Sequence, residues 1–154
     1  MTETAENPVD HRSVAVATYN RCWDLLDQPE RSADDDVELL TAAFTSRYHW
    51  RIVGGEMQGI VADWMVSRAA GETGSPDLAV RFGQTALADV QSGEHPAWLR
   101  ASVLEGLARA YAAAGDRAIR DQYVDLAWAA LDEETDPDDR EVIAEQLRTV
   151  PVLD

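Results

Sequence analysis

The feature that most constrains the fold is a helical spacing of apolar residues that runs through nearly the whole chain. From residue 9 to residue 148, apolar side chains recur every three or four positions, and almost no segment alternates in the way of a strand. Short stretches containing Gly or Pro interrupt this spacing. The pattern predicts an all-α fold of seven helices, and loops this short require neighbouring helices to pack antiparallel.

Capping residues predict where these helices begin and end. Ser32 and Asp35 have the spacing of a capping box. Asp116 is expected to cap a helix, and Ser75 to cap one that has proline in its first turn. Gly54 and the glycine after it suit a left-handed helix end. The predicted ranges are about 9–27, 32–54, 56–71, 75–91, 96–115, 116–132 and 136–150, the last with an apolar face of Val142, Ile143, Leu147 and Val150.

The length and the N-terminus indicate one intracellular domain. A chain of 154 residues is long enough for one core, and we expect a disordered segment at 1–10, a single helical-repeat domain at 11–150 and a tail at 151–154. The first ten residues are acidic and polar, which predicts a cytoplasmic protein without a signal peptide. Cys22 is the only cysteine, so no disulfide forms within the chain.

The charge of the chain restricts its partners and its chemistry. The net charge of −16 argues against binding to nucleic acid or to anionic membranes. The chain has no lysine, which excludes a Schiff-base lysine and a phosphate-binding P-loop. No metalloprotease, nucleophile-elbow or calcium-loop motif is present. We therefore predict no catalytic residue, no metal site and no cofactor.

Two segments carry a repeated pattern of small and apolar residues. The better copy lies between residues 104 and 131, with Leu104, Leu107, Ala108, Tyr111, Gly115, Asp116 and Ala127. A weaker copy lies between residues 63 and 87, with Gly74, Ala79, Val80, Phe82, Ala86 and Leu87. Ala86 and Ala127 are equivalent positions 41 residues apart (127 − 86), against about 34 in a regular tetratricopeptide array. The pattern resembles the tetratricopeptide repeat, which implies an antiparallel helix-pair array, an α-α superhelix in which helices one and two form a degenerate pair and helix seven a polar cap.

The chain also resembles a group of short, uncharacterised bacterial helical proteins. The shared features are the SRYHW motif at residues 46–50, Trp64 followed by Ser67 and Arg68, and the ARA motif at residues 108–110. This resemblance implies the helical fold and leaves the activity open.

The tetratricopeptide resemblance implies a groove lined by the first helix of each pair. Its positions correspond to Val61, Trp64, Arg68 and Gly71 in helix three and to Ser102, Glu105, Arg109 and Ala112 in helix five, and Tyr19 and Trp23 extend the wall. Two alternatives remain: Trp64 is a core residue between helices, and Glu105 with Arg109 is an exposed ion pair. Arg68 has an acidic residue on its own helix only at Glu72, which makes it the best candidate to bind something else.

The SRYHW motif has two interpretations. Leu40, Phe44 and Tyr48 form one apolar stripe of helix two, and Leu39, Ala43 and Trp50 form a second. In the structural interpretation the motif is a buried polar seam, in which Arg47 and His49 bind Asp63 or Glu105 on neighbouring helices. In the other, His49 acts on a ligand in a polar pocket.

Three functions follow from these residues. The first is a protein- or peptide-binding module that takes an acidic or carboxylate-ended segment of a partner. The second is a small-ligand sensor or enzyme built around His49, Tyr48, Asp63 and Glu105. The third is a homo-oligomeric structural subunit, for example a homodimer. The candidate binding residues are Trp64, Arg68, Glu105, Arg109, Arg47, His49 and Trp23.

Overall fold

The computed structural model describes residues 7–154, and most of the segment predicted to be disordered lies outside this range. Within it the chain forms seven α-helices and no strand, as predicted. No helix in the described part is both long and apolar enough to cross a lipid bilayer. The helices are α1 (His11–Leu26), α2 (Ala33–Val53), α3 (Glu56–Glu72), α4 (Pro76–Gln91), α5 (Ala97–Ala113), α6 (Arg117–Leu131) and α7 (Pro137–Arg148).

Most of the predicted caps form. At the start of α2, Ser32 accepts a hydrogen bond from the Asp35 backbone and Asp35 returns one to the Ser32 backbone. Asp116 accepts from Ile119 N at the start of α6. Ser75 is the N-cap residue of α4, as predicted, but its side chain makes no capping hydrogen bond. Proline in the first turn, which needs no N–H partner, suffices to begin that helix.

The left-handed ending predicted for α2 was wrong. Gly54 has a φ of −85°, and the positive-φ glycines of the described chain are Gly74 and Gly115. Glycine is required at position 54 for space: an added Cβ would lie 2.6 Å from the carbonyl oxygen of Trp50 and 2.9 Å from Cβ of Gln58. The junction between α2 and α3 is therefore a close approach of two helix ends.

The helices pack in a regular order. Each helix contacts the next one in the chain, and the odd-numbered helices also contact one another in the order α1, α3, α5 and α7. Among residues 7–154 the backbone of α2 does not approach that of α4, nor that of α4 the backbone of α6, and side chains alone join these pairs. The odd-numbered helices thus form one side of the molecule, and α3 and α5 lie at its centre.

The core follows this order and extends through every helix. One buried cluster runs from Cys22 and Leu25 in α1 to Ile143 and Leu147 in α7. Val142, which the apolar face of the last helix was predicted to include, is 59% exposed. Its neighbours Ile143, Leu147 and Val150 are buried. Within the described helices α7 packs against α5 and α6 alone, so it needs only a narrow apolar face.

Candidate functional site

A cavity of about 180 Å³ lies between α3, α5 and the segment that follows α7. Two arginines of the predicted groove, Arg68 and Arg109, are on its wall, together with Glu72 from the end of α3. The remaining wall is made of small or apolar residues. They are Ser67, Gly71, Ala112, Ala113 and Pro151.

Arg109 joins α5 to the end of α7. Its guanidinium donates hydrogen bonds to Glu105 on the preceding turn, to the carbonyl oxygen of Gln146 at 2.7 Å and to Oγ1 of Thr149 at 2.6 Å. Glu105 is fully buried, so the alternative of an exposed pair was wrong. Arg109 therefore satisfies carbonyl and hydroxyl groups at a helix C-terminus, where a cation is favourable.

Arg68 lies beside the same carboxylate without bonding to it. Its Nη1 is 3.8 Å from Oε1 of Glu105 and its Nε is 3.9 Å from Oε1 of Glu72, both beyond hydrogen-bond distance. Nε and Nη1 are enclosed and have no hydrogen-bond partner within the described chain. Burial, followed by the charge of Arg109, lowers the pKa of Arg68 from its ordinary value.

Buried guanidinium groups are normally paired and hydrogen-bonded, because removing a charge from water is costly. The Arg68 side chain keeps only 12% of its surface exposed, and the residue forms part of the cavity wall. An anion in the cavity would offset the repulsion from Arg109 and accept a hydrogen bond from Nη2, the guanidinium nitrogen of Arg68 that is not enclosed. The arrangement is therefore suited to bind a small anionic group.

Aromatic side chains connect α1 to this arginine. The guanidinium of Arg68 lies over the ring of Trp23, 5.6 Å from its centroid, and Trp23 in turn packs against Tyr19 and Trp64. Trp64 is only 6% exposed. It supports the wall from inside the core, as the core alternative requires, and does not offer a surface to a ligand. Gly106 makes room for it on α5, where a Cβ would lie 2.6 Å from the Trp64 ring.

The SRYHW motif lies apart from this cavity and acts within the helix packing. Arg47 binds Asp63, with 2.5 Å between Nε and Oδ1, as the structural interpretation predicts, and it also lies over the ring of Phe82. Ser46 is buried and donates a hydrogen bond to the carbonyl oxygen of Ala15. Arg47 therefore connects α2 to α3 and α4, and Ser46 connects α2 to α1.

His49 does not take the predicted acidic partner. Its Nδ1 lies 2.7 Å from Nδ1 of His11 in α1, and its ring packs edge-on against Tyr48. Tyr48 is 63% exposed, so the apolar stripe of Leu40, Phe44 and Tyr48 is open to solvent at this end. Asp63 accepts a hydrogen bond from Arg47, and Glu105 accepts one from Arg109. The residues of the enzyme hypothesis (His49, Tyr48, Asp63 and Glu105) therefore do not share one hydrogen-bond network. In residues 7–154 no three His, Cys, Asp or Glu side chains are grouped to hold a metal ion.

Three features of the site were missed from the sequence. Glu72 was considered only as a neighbour of Arg68, and Pro151 was assigned to a tail. Pro151 and Val150 are in fact held by Arg120, which donates to both carbonyl oxygens. A second, more apolar cavity of about 210 Å³ lies nearer the start of α3 and is lined by Val16, Tyr19, Trp50, Met57, Gln58 and Val61. The aromatic residues Tyr19 and Trp50 were the available signal for it.

Comparison of the chain with known protein families finds no match. Comparison with curated proteins finds no similar sequence either. The function is therefore argued from the residues of the site.

Proposed function

We propose that this protein is a non-enzymatic binding module that takes the carboxylate end of a peptide segment in the cavity beside Arg68. The observation that carries this proposal is the state of Arg68, a mostly buried guanidinium on a cavity wall whose Nε and Nη1 have no hydrogen-bond partner among the described residues. A carboxylate is the planar group that a guanidinium binds best.

The helix order supports a tetratricopeptide-like array as the framework for this function. In such an array the pairs would be α1 with α2, α3 with α4 and α5 with α6, and α7 would be the cap. The contacts among α1, α3 and α5 are those expected for the inner helices of such an array. A groove along these helices would lead a peptide past Tyr19 and Trp23 towards Arg68.

The size and charge of the cavity favour a small anionic group. About 180 Å³ is below the 300–1,000 Å³ typical of sites for drug-sized ligands, so the cavity suits the end of a chain better than a large cofactor. The protein carries a net charge of −16, so an acidic segment is held best beside an arginine that has no hydrogen bond of its own. Of the arginines on the cavity wall, Arg109 already has several hydrogen bonds, whereas Arg68 has none in the described structure.

A peptide library with free C-terminal carboxylates, and the same library with amidated ends, tests this function. Arg68→Met keeps much of the aliphatic stem over Trp23 and removes the charge, and Arg21→Met serves as the matched control because Arg21 is an exposed arginine paired with Glu38. Circular dichroism establishes that both variants are folded.

We expect the wild type and Arg21→Met to retain free-carboxylate peptides, and amidation or Arg68→Met to weaken binding at least about tenfold, the value of one charge-assisted hydrogen bond. If folded Arg68→Met retained the peptides as well as the wild type does, Arg68 would not be the residue that binds the carboxylate. Retention of no peptide by the wild type would contradict the proposed function itself.

A further inference from the structure

Glu72 occupies a position that helix electrostatics disfavours. It is the last residue of α3, where the helix dipole presents a partial negative charge and a carboxylate is unfavourable. Its side chain is 35% exposed and lines the same cavity as Arg68. Helix formation does not favour a carboxylate at this position. Because the side chain lines the cavity, we expect it to contact the ligand that the cavity binds.

The Glu72 carboxylate is also free to accept hydrogen bonds. Its nearest basic atoms are Nη2 of Arg31 at 3.6 Å and Nε of Arg68 at 3.9 Å, and no side-chain hydrogen bond to it exists in the described structure. Arg31 instead donates to Asp36 and to the backbone oxygen of Glu72. An acceptor and a donor group thus lie side by side on one wall.

The two neighbouring groups on this wall suit one particular chemical unit. In an α-amino carboxylate the nitrogen and the nearer carboxylate oxygen are roughly 3 Å apart, as the backbone bond lengths require. Nε of Arg68, which is itself enclosed, lies 3.9 Å from Oε1 of Glu72, so the open end of the guanidinium and the Glu72 carboxylate are near enough for one such unit to contact both. A ligand lying parallel to them would place its carboxylate against the guanidinium and its N–H against the Glu72 carboxylate.

We propose that Glu72 is a specificity-determining residue that accepts a hydrogen bond from the N–H adjacent to the ligand's carboxylate. This inference rests on the carboxylate site at Arg68 argued above. The shared chemistry is a carboxylate with a nitrogen donor on its α-carbon. Two sources carry it: the last residue of a peptide, with an amide N–H, and a free α-amino acid, with an ammonium group.

The test measures dissociation constants by NMR titration with the twenty N-acetyl amino acids. For the tightest member, three further compounds are used: its primary amide, its α-acetoxy analogue and the free amino acid. The α-acetoxy analogue has an ester oxygen in place of the N–H and keeps the carboxylate. Glu72→Ala is compared with Glu38→Ala, a control in which the removed carboxylate is an exposed partner of Arg21.

With the wild type and Glu38→Ala we expect the α-acetoxy analogue to bind about tenfold more weakly than the N-acetyl compound, because a hydrogen bond to a charged acceptor is lost. With Glu72→Ala the two compounds should bind within about twofold of each other. Equal binding of both compounds to the wild type, with the amide still weak, would overturn the role of Glu72 and leave the carboxylate site standing.

The amide and the free amino acid separate the remaining outcomes. If the primary amide binds the wild type as well as the acid does, the carboxylate site is wrong and this inference falls with it. If the free amino acid binds tighter than its N-acetyl form and loses affinity in Glu72→Ala, the N–H recognition is supported. In that case the occupant is a free amino acid, which contradicts the peptide-binding function.

Discussion

Arg68 and Arg109 approach the same buried carboxylate, that of Glu105, but only Arg109 is hydrogen-bonded to it. Arg109 also holds the end of α7 through Gln146 and Thr149. Arg68 has a cavity on one side and a tryptophan ring on the other. Two arginines in one small space thus differ in their contacts: Arg109 is part of the framework, and Arg68 is the residue to which the proposed function assigns ligand binding.

This division predicts opposite effects of the same substitution on stability. Arg109→Met should lower the free energy of unfolding by about 3–5 kcal/mol, because the buried Glu105 carboxylate and the end of α7 lose their hydrogen-bond donor. Arg68→Met should leave it within about 1 kcal/mol or raise it, since a buried charge without hydrogen bonds is removed. Urea denaturation of the two variants checks this, and a large loss for Arg68→Met would show that Arg68 is a framework residue.

A second prediction concerns the polar seam. Asp63 is 1% exposed and is bound by Arg47, so Arg47→Leu should cost about 3–5 kcal/mol by leaving a buried carboxylate unpaired. Arg21→Leu breaks an exposed pair with Glu38 and should cost less than about 1 kcal/mol. Thermal unfolding of both variants at neutral pH compares them. Similar losses would mean that Asp63 reaches solvent.

A third prediction uses two helical glycines. In Gly106→Ala the new Cβ would lie 2.6 Å and 2.7 Å from ring atoms of Trp64, so overpacking should cost about 1–3 kcal/mol. In Gly59→Ala the new Cβ meets nothing within 4 Å, and stability should rise by about 0.5–1 kcal/mol. Denaturant midpoints measure both changes. A neutral Gly106→Ala would contradict the close contact of α5 with Trp64.

The fourth prediction is a pH dependence from Cys22. Burial raises the pKa of this thiol from 9.0 to about 12. Between these values the unfolded chain has lost the thiol proton and the folded chain keeps it, so the free energy of unfolding falls as pH rises through this window. Cys22→Ala should lose this contribution, and the fall that remains above pH 10 is assigned to Tyr19, whose pKa is also raised by burial. In native protein at pH 8 a thiol reagent should not react, whereas in urea it should react fully; rapid reaction of the native thiol would contradict its burial.

Much of the fold was predictable because its determinants are local. Ser32 with Asp35, and Asp116 with the start of α6, satisfy backbone groups within one turn, so three-residue spacings suffice to identify them. The wrong cases depended on how one helix meets another. Gly54 is required by its approach to Gln58 across the α2–α3 junction, and the exposure of Val142 depends on how α7 lies on α5 and α6.

The candidate site was predictable only in part, for the same reason. The stripe containing Arg68 follows from helical spacing, and the lack of a strong partner on its own helix was visible in the sequence. The partners of Arg109 could not be found in this way, because Gln146 and Thr149 are about 40 residues away and meet it through packing. The contact of His49 with His11 depends in the same way on how α1 lies on α2.

The most direct test of the central claim is to follow the Arg68 Nε–H signal by NMR, assigned with Arg68→Met, while N-acetylalanine is added at constant ionic strength. N-acetylalaninamide is the matched control, because it lacks only the carboxylate charge. We predict a saturable shift of the Arg68 signal with the acid and none with the amide, while the Arg109 signal changes little. Unsaturable shifts of similar size at all the arginines, or equal effects of acid and amide, would contradict a carboxylate site at Arg68.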